Sequence, residues 1–341
     1  MDEARLLRML QEALPPGAVE SPDLRTPPWG DDAAVVAAPW VAPDRELVVT
    51  TDLLVEDVDF RWAWASPEDV GFKALQVNLS DLAAKGAEPR QAYVGIACRR
   101  DEAATLLPRL YRGLGEALAD APGLTVAGGD LSATGGPLVI ALTLVGDAPR
   151  GGAWRRMDAA VGDILWVSRP VGWARLGLLA LEQGDTLPAP VERAIAQFRR
   201  PRAELPLARV LRDVGYSGAC MDLSDGLQRD LPRLCGASGV GALVVDPGIA
   251  QPAGYAELCA ALGADPTDNA VQGGEDFALL GATDPLEFHR ISQAVSAAQL
   301  RLPIPIGSIL PASHGITLQL VDGRAHPWPS GGFDHFAAPR G

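Results

Sequence analysis

Lysine is nearly missing from this chain of 341 residues: only Lys73 and Lys85 are present, and the other basic residues are arginines. With a formal net charge of −14 and no basic stripe, the chain is a poor match for nucleic acid. Histidine and cysteine are scarce too. The four histidines (His289, His314, His326, His335) and four cysteines (Cys98, Cys220, Cys235, Cys259) are scattered, with no CxxC pair. That gives no framework for zinc, and reduced, mostly buried thiols of a cytoplasmic protein are expected. The longest apolar stretches, such as Leu138–Val145, fall far short of the roughly 20 residues of a membrane span. The opening Met1-Asp2-Glu3-Ala4-Arg5 lacks the basic-then-apolar pattern of a signal peptide. No GxxxxGK[ST] loop occurs, nor the lysine and HRD set of protein kinases.

What remains is a globular composition, 48% hydrophobic and 21% charged, with 37 glycines and 29 prolines marking many tight loops. Strands and helices alternate in both halves. "SPEDVGFKALQVNLSDLAAKGAEP" carries the clearest helix signals: Ser66 at the N-cap, Pro67 at N1, Asp69 closing a capping box, and Gly86 and Pro89 at the end. Leu6–Leu14 and Asp101–Ala119 also read as helices, and Leu47–Thr51, Tyr93–Cys98, Leu124–Ala127 and Leu138–Val145 as strands. "GDAPRGGAW" (146–154) clusters glycine and proline between apolar segments and is the boundary expected between two α/β or α+β domains, residues 1–150 and 151–341. Beyond it, "DILWVS", Ala219-Cys220-Met221, Ala242–Val245, Phe277–Leu280, Ile304–Ile309 and Ile316–Leu320 read as strands. Helices are expected near 172–183, 190–199 and 203–213, and after "DLSDGL".

The acids are arranged in knots. "GDDAAVV" (Asp31, Asp32), "TTD" (Thr50, Thr51, Asp52), "NLSD" (Asn78, Ser80, Asp81), "GGD" (Asp130) and "MDLSDG" (Asp222, Ser224, Asp225) each set Asp beside Gly, Ser or Thr at the end of an apolar element. "GGED" (Glu275, Asp276) adds a variant. Carboxylates, hydroxyls and carbonyls are the hard oxygen ligands of Mg²⁺ or Mn²⁺, and no histidine lies among them. One knot alone reads more readily as a turn or cap. Five in an anionic chain point to bound cations and to phosphoryl transfer, where charge neutralisation does most of the work. Bland readings stand beside this one. Asp81–Lys85 and Asp69–Lys73 have the i,i+4 spacing of surface ion pairs, Ser224 has the position of an N-cap, Tyr111 has core spacing, and Arg155-Arg156 reads as a solvated pair.

In this order the knots resemble the thiamine-monophosphate kinase family, within the ATP-binding superfamily of aminoimidazole ribonucleotide synthetase. The resemblance runs from "GDDAAVV" through "TTDLLVEDVDF", "KALQVNLSDLAAKGAEP", "AGGD", "MDLSDGL" and "GGEDFALL" to "GGFDHF". It implies a two-domain PurM-like fold, with strands of the N-terminal domain pairing into a barrel across a homodimer. It implies ATP-dependent phosphorylation of thiamine monophosphate to the diphosphate by direct in-line transfer with several Mg²⁺ ions. Metal positions fall at Asp32, Thr50, Thr51, Asp52, Asp81, Asp130, Asp222 and Asp225, of which Asp52, Asp81, Asp130 and Asp222 carry the chemistry. ATP contacts fall at Tyr111, Gly129, Asp130, Arg156 and Ser224, and substrate contacts at Asp59, Glu275 and Phe333. One departure stands out. Where the family has "VEGVHF" or similar, this chain has "VEDVDF", with Asp57 at the glycine and Asp59 at the histidine that touches the substrate. Either Asp59 reaches an extra cation, or the substrate pose is shifted, or the acceptor differs. A superfamily enzyme with another acceptor and a non-catalytic nucleotide or metal sensor are the competing readings.

Overall fold

The computed structural model describes residue 25 and residues 31–37, 43–184, 187–248 and 251–331. The helix expected at Leu6–Leu14 and the site residue Phe333 lie outside these.

Two mixed sheets form the frame. The first has order β1-β2-β5-β3-β4, from β1 (Ala34–Ala37), β2 (Arg45–Val55), β3 (Glu88–Cys98), β4 (Thr125–Ala133) and β5 (Val139–Pro149). Its pairings are antiparallel except β3 with β4. Strand β2 alternates as a one-side-covered strand should: Glu46, Val48, Thr50 and Leu54 point inward, while Thr51 and Leu53 face out. On that outer face Leu53 and Tyr93 are exposed, and edge strand β4 is exposed along its whole length. The sheet is open in the single chain.

The second sheet has order β12-β11-β8-β10-β6-β9-β7. Its strands are β6 (Ile164–Val167), β7 (Ala219–Leu223), β8 (Val240–Val245), β9 (Ala278–Thr283), β10 (Ile304–Pro311), β11 (Ile316–Gln319) and β12 (Ala325–Pro327). Around it lie helices that include α3 (Trp173–Gln183), α4 (Val191–Arg199), α5 (Leu205–Asp213) and α6 (Leu227–Ser238).

Helix α1 (Pro67–Ala84) is the shared element. Its Ser66 cap forms the anticipated capping box with Asp69. Every residue from Val70 to Ala84 is buried, so it has no solvent face and little amphipathic character. Helix α2 (Ala103–Leu118) approaches closely because Gly71 and Gly113 leave room for its neighbour's backbone: a Cβ at Gly71 would strike the Leu110 carbonyl, and one at Gly113 the Glu68 carbonyl.

A helix buried all round must find partners for its polar side chains. Gln76 donates to Asp120 (2.7 Å) and accepts from the Ala203 amide (2.8 Å), while Ser80 donates to Asp222 (2.7 Å). The surface-pair readings fail here. Lys73 pairs not with Asp69 but with Glu275 (2.7 Å), and Asp69 takes Arg200 (2.5 Å). Lys85 turns away from Asp81 to Asp31 and Asp32. Four cysteines are buried and free, as expected.

Candidate active site

Three acids meet where the two sheets face each other across α1: half-buried Asp52 on β2, and buried Asp81 on α1 and Asp222 on β7. Thr50 donates a hydrogen bond to Asp81, and Ser80 donates to Asp222 (2.7 Å). Among the described residues no cation pairs with any of the three. Burial and mutual repulsion accordingly raise all three. Asp52 is pushed up to about 6, by burial first and then by Asp59 and Asp32. Burial drives Asp81 well above the usual carboxylate range, reinforced by Asp52 and Asp222, and Asp222 likewise by burial and then Asp32.

The flanking acids are treated in the opposite way. Burial alone would raise Asp32, but the charges of Lys85 and Arg156 overcome it and hold the carboxyl below its ordinary value. Lys85, fully buried, is within ion-pair distance of Asp31 and Asp32 (3.0 Å to the latter), and Arg156 contacts both as well. Asp225 lies 2.8 Å from Arg233 and 3.8 Å from Arg229. Arg156 is thus no solvated surface residue, and Ser224 is no N-cap, since Gly226 takes that position before α6.

A cavity of about 470 Å³ opens beside the acids. Asp52, Asp81, Asp222, Ser224 and Asp225 line one side, and Trp64, Phe198, Leu178 and Phe277 supply apolar and aromatic walls. That size and lining suit a small organic ligand. Lys73 reaches in from α1, its ammonium 4.5 Å from the centre of the Phe198 ring while paired with Glu275. Glu275 and Phe277 both have positive φ (63° and 48°), so the segment is bent where it meets the cavity.

The "VEDVDF" stretch is explained by its backbone. Asp57 has φ of 69°, the left-handed region that favours glycine and that aspartate tolerates better than most residues. Asp59 lines the cavity, but one oxygen accepts the Val55 amide (2.8 Å) while its own amide donates to the Val55 carbonyl (2.9 Å). The acid closes its own loop. Glu56 is structural as well, accepting the Leu138 amide (2.8 Å).

Asp130, Gly129 and Tyr111 are not brought to this cavity. Asp130 is exposed on edge strand β4 and shares a rung with Gly95, Ala141 and Leu53. Three strand spacings of about 4.8 Å put its backbone about 14 Å from that of Leu53. Tyr111 is 39% exposed on the outer side of α2. Among the described residues no three His, Cys, Asp or Glu side chains stand close enough to hold a metal ion unaided. The donor chemistry nonetheless fits a hard divalent cation: oxygen only, with the three unneutralised carboxylates and two buried carboxylate oxygens that no hydrogen bond satisfies among the described residues, Asp31 Oδ2 and Asp32 Oδ2. Lys73, Trp64, Phe198, Arg229 and Arg233 stand at the site with no motif to mark them. The one available hint was that the two lysines of the chain both fall around α1.

Fold and site together define a member of the ATP-binding superfamily of aminoimidazole ribonucleotide synthetase: residues 30–148 match the model of the AIR synthase related protein, N-terminal domain. A thiamine-monophosphate kinase of Rhodopirellula baltica is 34% identical over 262 residues, 76% of each chain. That of Bacillus subtilis is 31% identical over 313 residues, covering 90% of this chain and 92% of its own. The chain belongs to the thiamine-monophosphate kinase family. A solved structure described as AaThiL complexed with AMPPCP and TMP superposes with a TM-score of 0.81 at 27% identity, covering 98% of this chain and 97% of that one. A hydrogenase maturation protein HypE superposes at 0.71 with 19% identity and shares the fold alone.

Proposed function

We propose that this chain transfers the γ-phosphoryl group of ATP to thiamine monophosphate, giving thiamine diphosphate and ADP. The observation that carries the reading is the trio of half-buried Asp52 and buried Asp81 and Asp222, unneutralised from within and set at the edge of a cavity sized for a small aromatic ligand. The kinase relatives and the nucleotide- and TMP-bound neighbour support it.

Asp52, Asp81 and Asp222, with Thr50, Asp32 and Asp225, would hold Mg²⁺, which when bound supplies the positive charge that phosphate oxygens need; the Thr51 side chain faces away from them, and Asp130 would join only from a second copy. An oxygen of the acceptor phosphate attacks the γ-phosphorus in line, and the bond to the β-bridging oxygen breaks, leaving ADP. The acceptor is already ionised, so no side chain need act as base or covalent nucleophile. The chain's own task is alignment and exclusion of water. Trp64 and Phe198 face the heterocycle. The Lys73–Glu275 pair orders the bent segment beside it, and Asp59 presents its free oxygen to the cationic or amine-bearing part of the ligand. Arg156 and Ser224 face the nucleotide side.

Residues 1–150 and 151–341 are read as two domains. The uncovered face of the first sheet and its exposed edge β4 favour a homodimer in which that face is covered, and a second copy is the route by which Tyr111, Gly129 and Asp130 would reach a site. The cytoplasm is the compartment that this ATP-dependent reading favours. The test is incubation with Mg-ATP and, separately, thiamine, thiamine monophosphate and aminoimidazole precursors. ADP and thiamine diphosphate should appear with thiamine monophosphate alone; ADP with another acceptor, or with none, overturns the reading.

A further inference from the structure

The same arrangement occurs twice at the edge of the site. Asp32 is held by Arg156, and Asp225 by Arg233 at 2.8 Å. The two guanidinium groups lie near enough to repel each other. Each therefore sits on a carboxylate that a divalent cation would need, and each is drawn there by the charge that cation would replace.

Arg233 is mounted for movement. Its Nη1 also reaches Asp230 Oδ1 (2.8 Å), and Asp230 is fully buried while the Arg233 side chain is 34% exposed. Asp230 Oδ2 accepts the backbone amide of Asp225 (3.0 Å). Asp230 thus tethers the arginine and fixes the Asp225 backbone independently. Arg233 can leave the Asp225 carboxylate without unpacking α6 and without disturbing where Asp225 points. A guanidinium carries five N–H donors in a rigid fork suited to phosphate oxygens.

We propose that Arg233 is an exchangeable guanidinium of the nucleotide side: it holds Asp225 in the cation-free protein and turns to the polyphosphate oxygens of a nucleoside triphosphate when a divalent cation takes that carboxylate. This rests on the phosphoryl-transfer reading above. Arg233 is then both a placeholder that keeps the acidic cluster from repelling itself apart and a second phosphate contact beside Arg156.

The test uses the full chain with Arg233→Gln and Arg233→Lys. Free Mn²⁺ is counted by electron paramagnetic resonance without nucleotide, and binding of a non-hydrolysable ATP analogue is measured in saturating Mg²⁺. Arg233→Gln should bind Mn²⁺ about fivefold more tightly, because the nearer competing cation is gone and Arg229 stands 3.8 Å off, and the analogue about tenfold more weakly, losses and gains within about 1–1.4 kcal/mol. Arg233→Lys, which cannot fork, should shift both in the same directions by less. A purely structural arginine would leave Mn²⁺ affinity unchanged or weaker. Either result, or unaltered analogue binding, overturns the proposal. Should Arg233→Gln fail to fold, the lysine variant decides on the same two readouts. Wild-type turnover with thiamine monophosphate is measured alongside, so that failure of the kinase reading shows in the wild type and failure of the exchange only in the variants.

Discussion

Asp52→Asn should make the cation-free protein more stable while abolishing turnover. The Asp52 carboxyl is raised from 3.8 to about 6, and no hydrogen bond or cation holds it among the described residues. The folded state therefore binds more protons than the unfolded chain between those values, so stability falls as pH rises from about 4 to 6 and stays depressed above. Full linkage of that shift is about 3 kcal/mol at about pH 7.5, and water in the cavity screens it to about 1–2 kcal/mol. Asparagine keeps the shape and removes the charge. Urea denaturation in EDTA at about pH 7.5 should show the variant more stable by that amount. At about pH 5, where most of the wild-type groups carry a proton, the gain should shrink by about half. Mg²⁺ should then stabilise the wild type more than the variant, by mass action on a site that the variant has weakened. Equal stabilities at about pH 7.5, or a gain that does not shrink with acid, would refute the reasoning.

Two further outcomes are expected. Lys85→Met leaves two buried carboxylates, Asp31 and Asp32, to share Arg156 alone and should cost about 3 kcal/mol, the low end for a broken buried pair, in the same denaturation assay. Asp59→Ala removes the acceptor of the Val55 amide and should cost about 1 kcal/mol, whereas Asp59→Asn keeps an acceptor oxygen and should retain stability while raising KM for thiamine monophosphate.

Local chemistry was legible where it is encoded in neighbours along the chain. The Ser66 box, the proline and glycine limits of α1 and the strands that carry Asp52 and Asp222 needed no tertiary information, and the structure has them. Asp52, Asp81 and Asp222, which the family resemblance groups with Asp130, line one cavity. What escaped was partner choice across long separations. At i,i+4, Asp81–Lys85 and Asp69–Lys73 look like helix surface pairs, yet a helix with no solvent face redirects each side chain to a distant partner: Thr50, Asp31, Arg200 and Glu275. The backbone reason for Asp57 was hidden too, since a positive φ at a non-glycine leaves no mark in composition. Asp130 was grouped with the trio by motif, and strand order alone puts it on the far edge of the sheet.

The burial of both lysines has a consequence for how the folded chain meets reactive chemistry. Lys85 is sealed completely, and Lys73 exposes 5% of its side chain. No ε-amine is offered at the surface, so acyl transfer, isopeptide conjugation and amine-directed cross-linking have no side chain to seize while α1 stays packed. Acylation of Lys73 or Lys85 becomes a clock for the opening of that helix, and a ligand that closes the cleft over Lys73 should slow the clock at that residue before it slows it at Lys85.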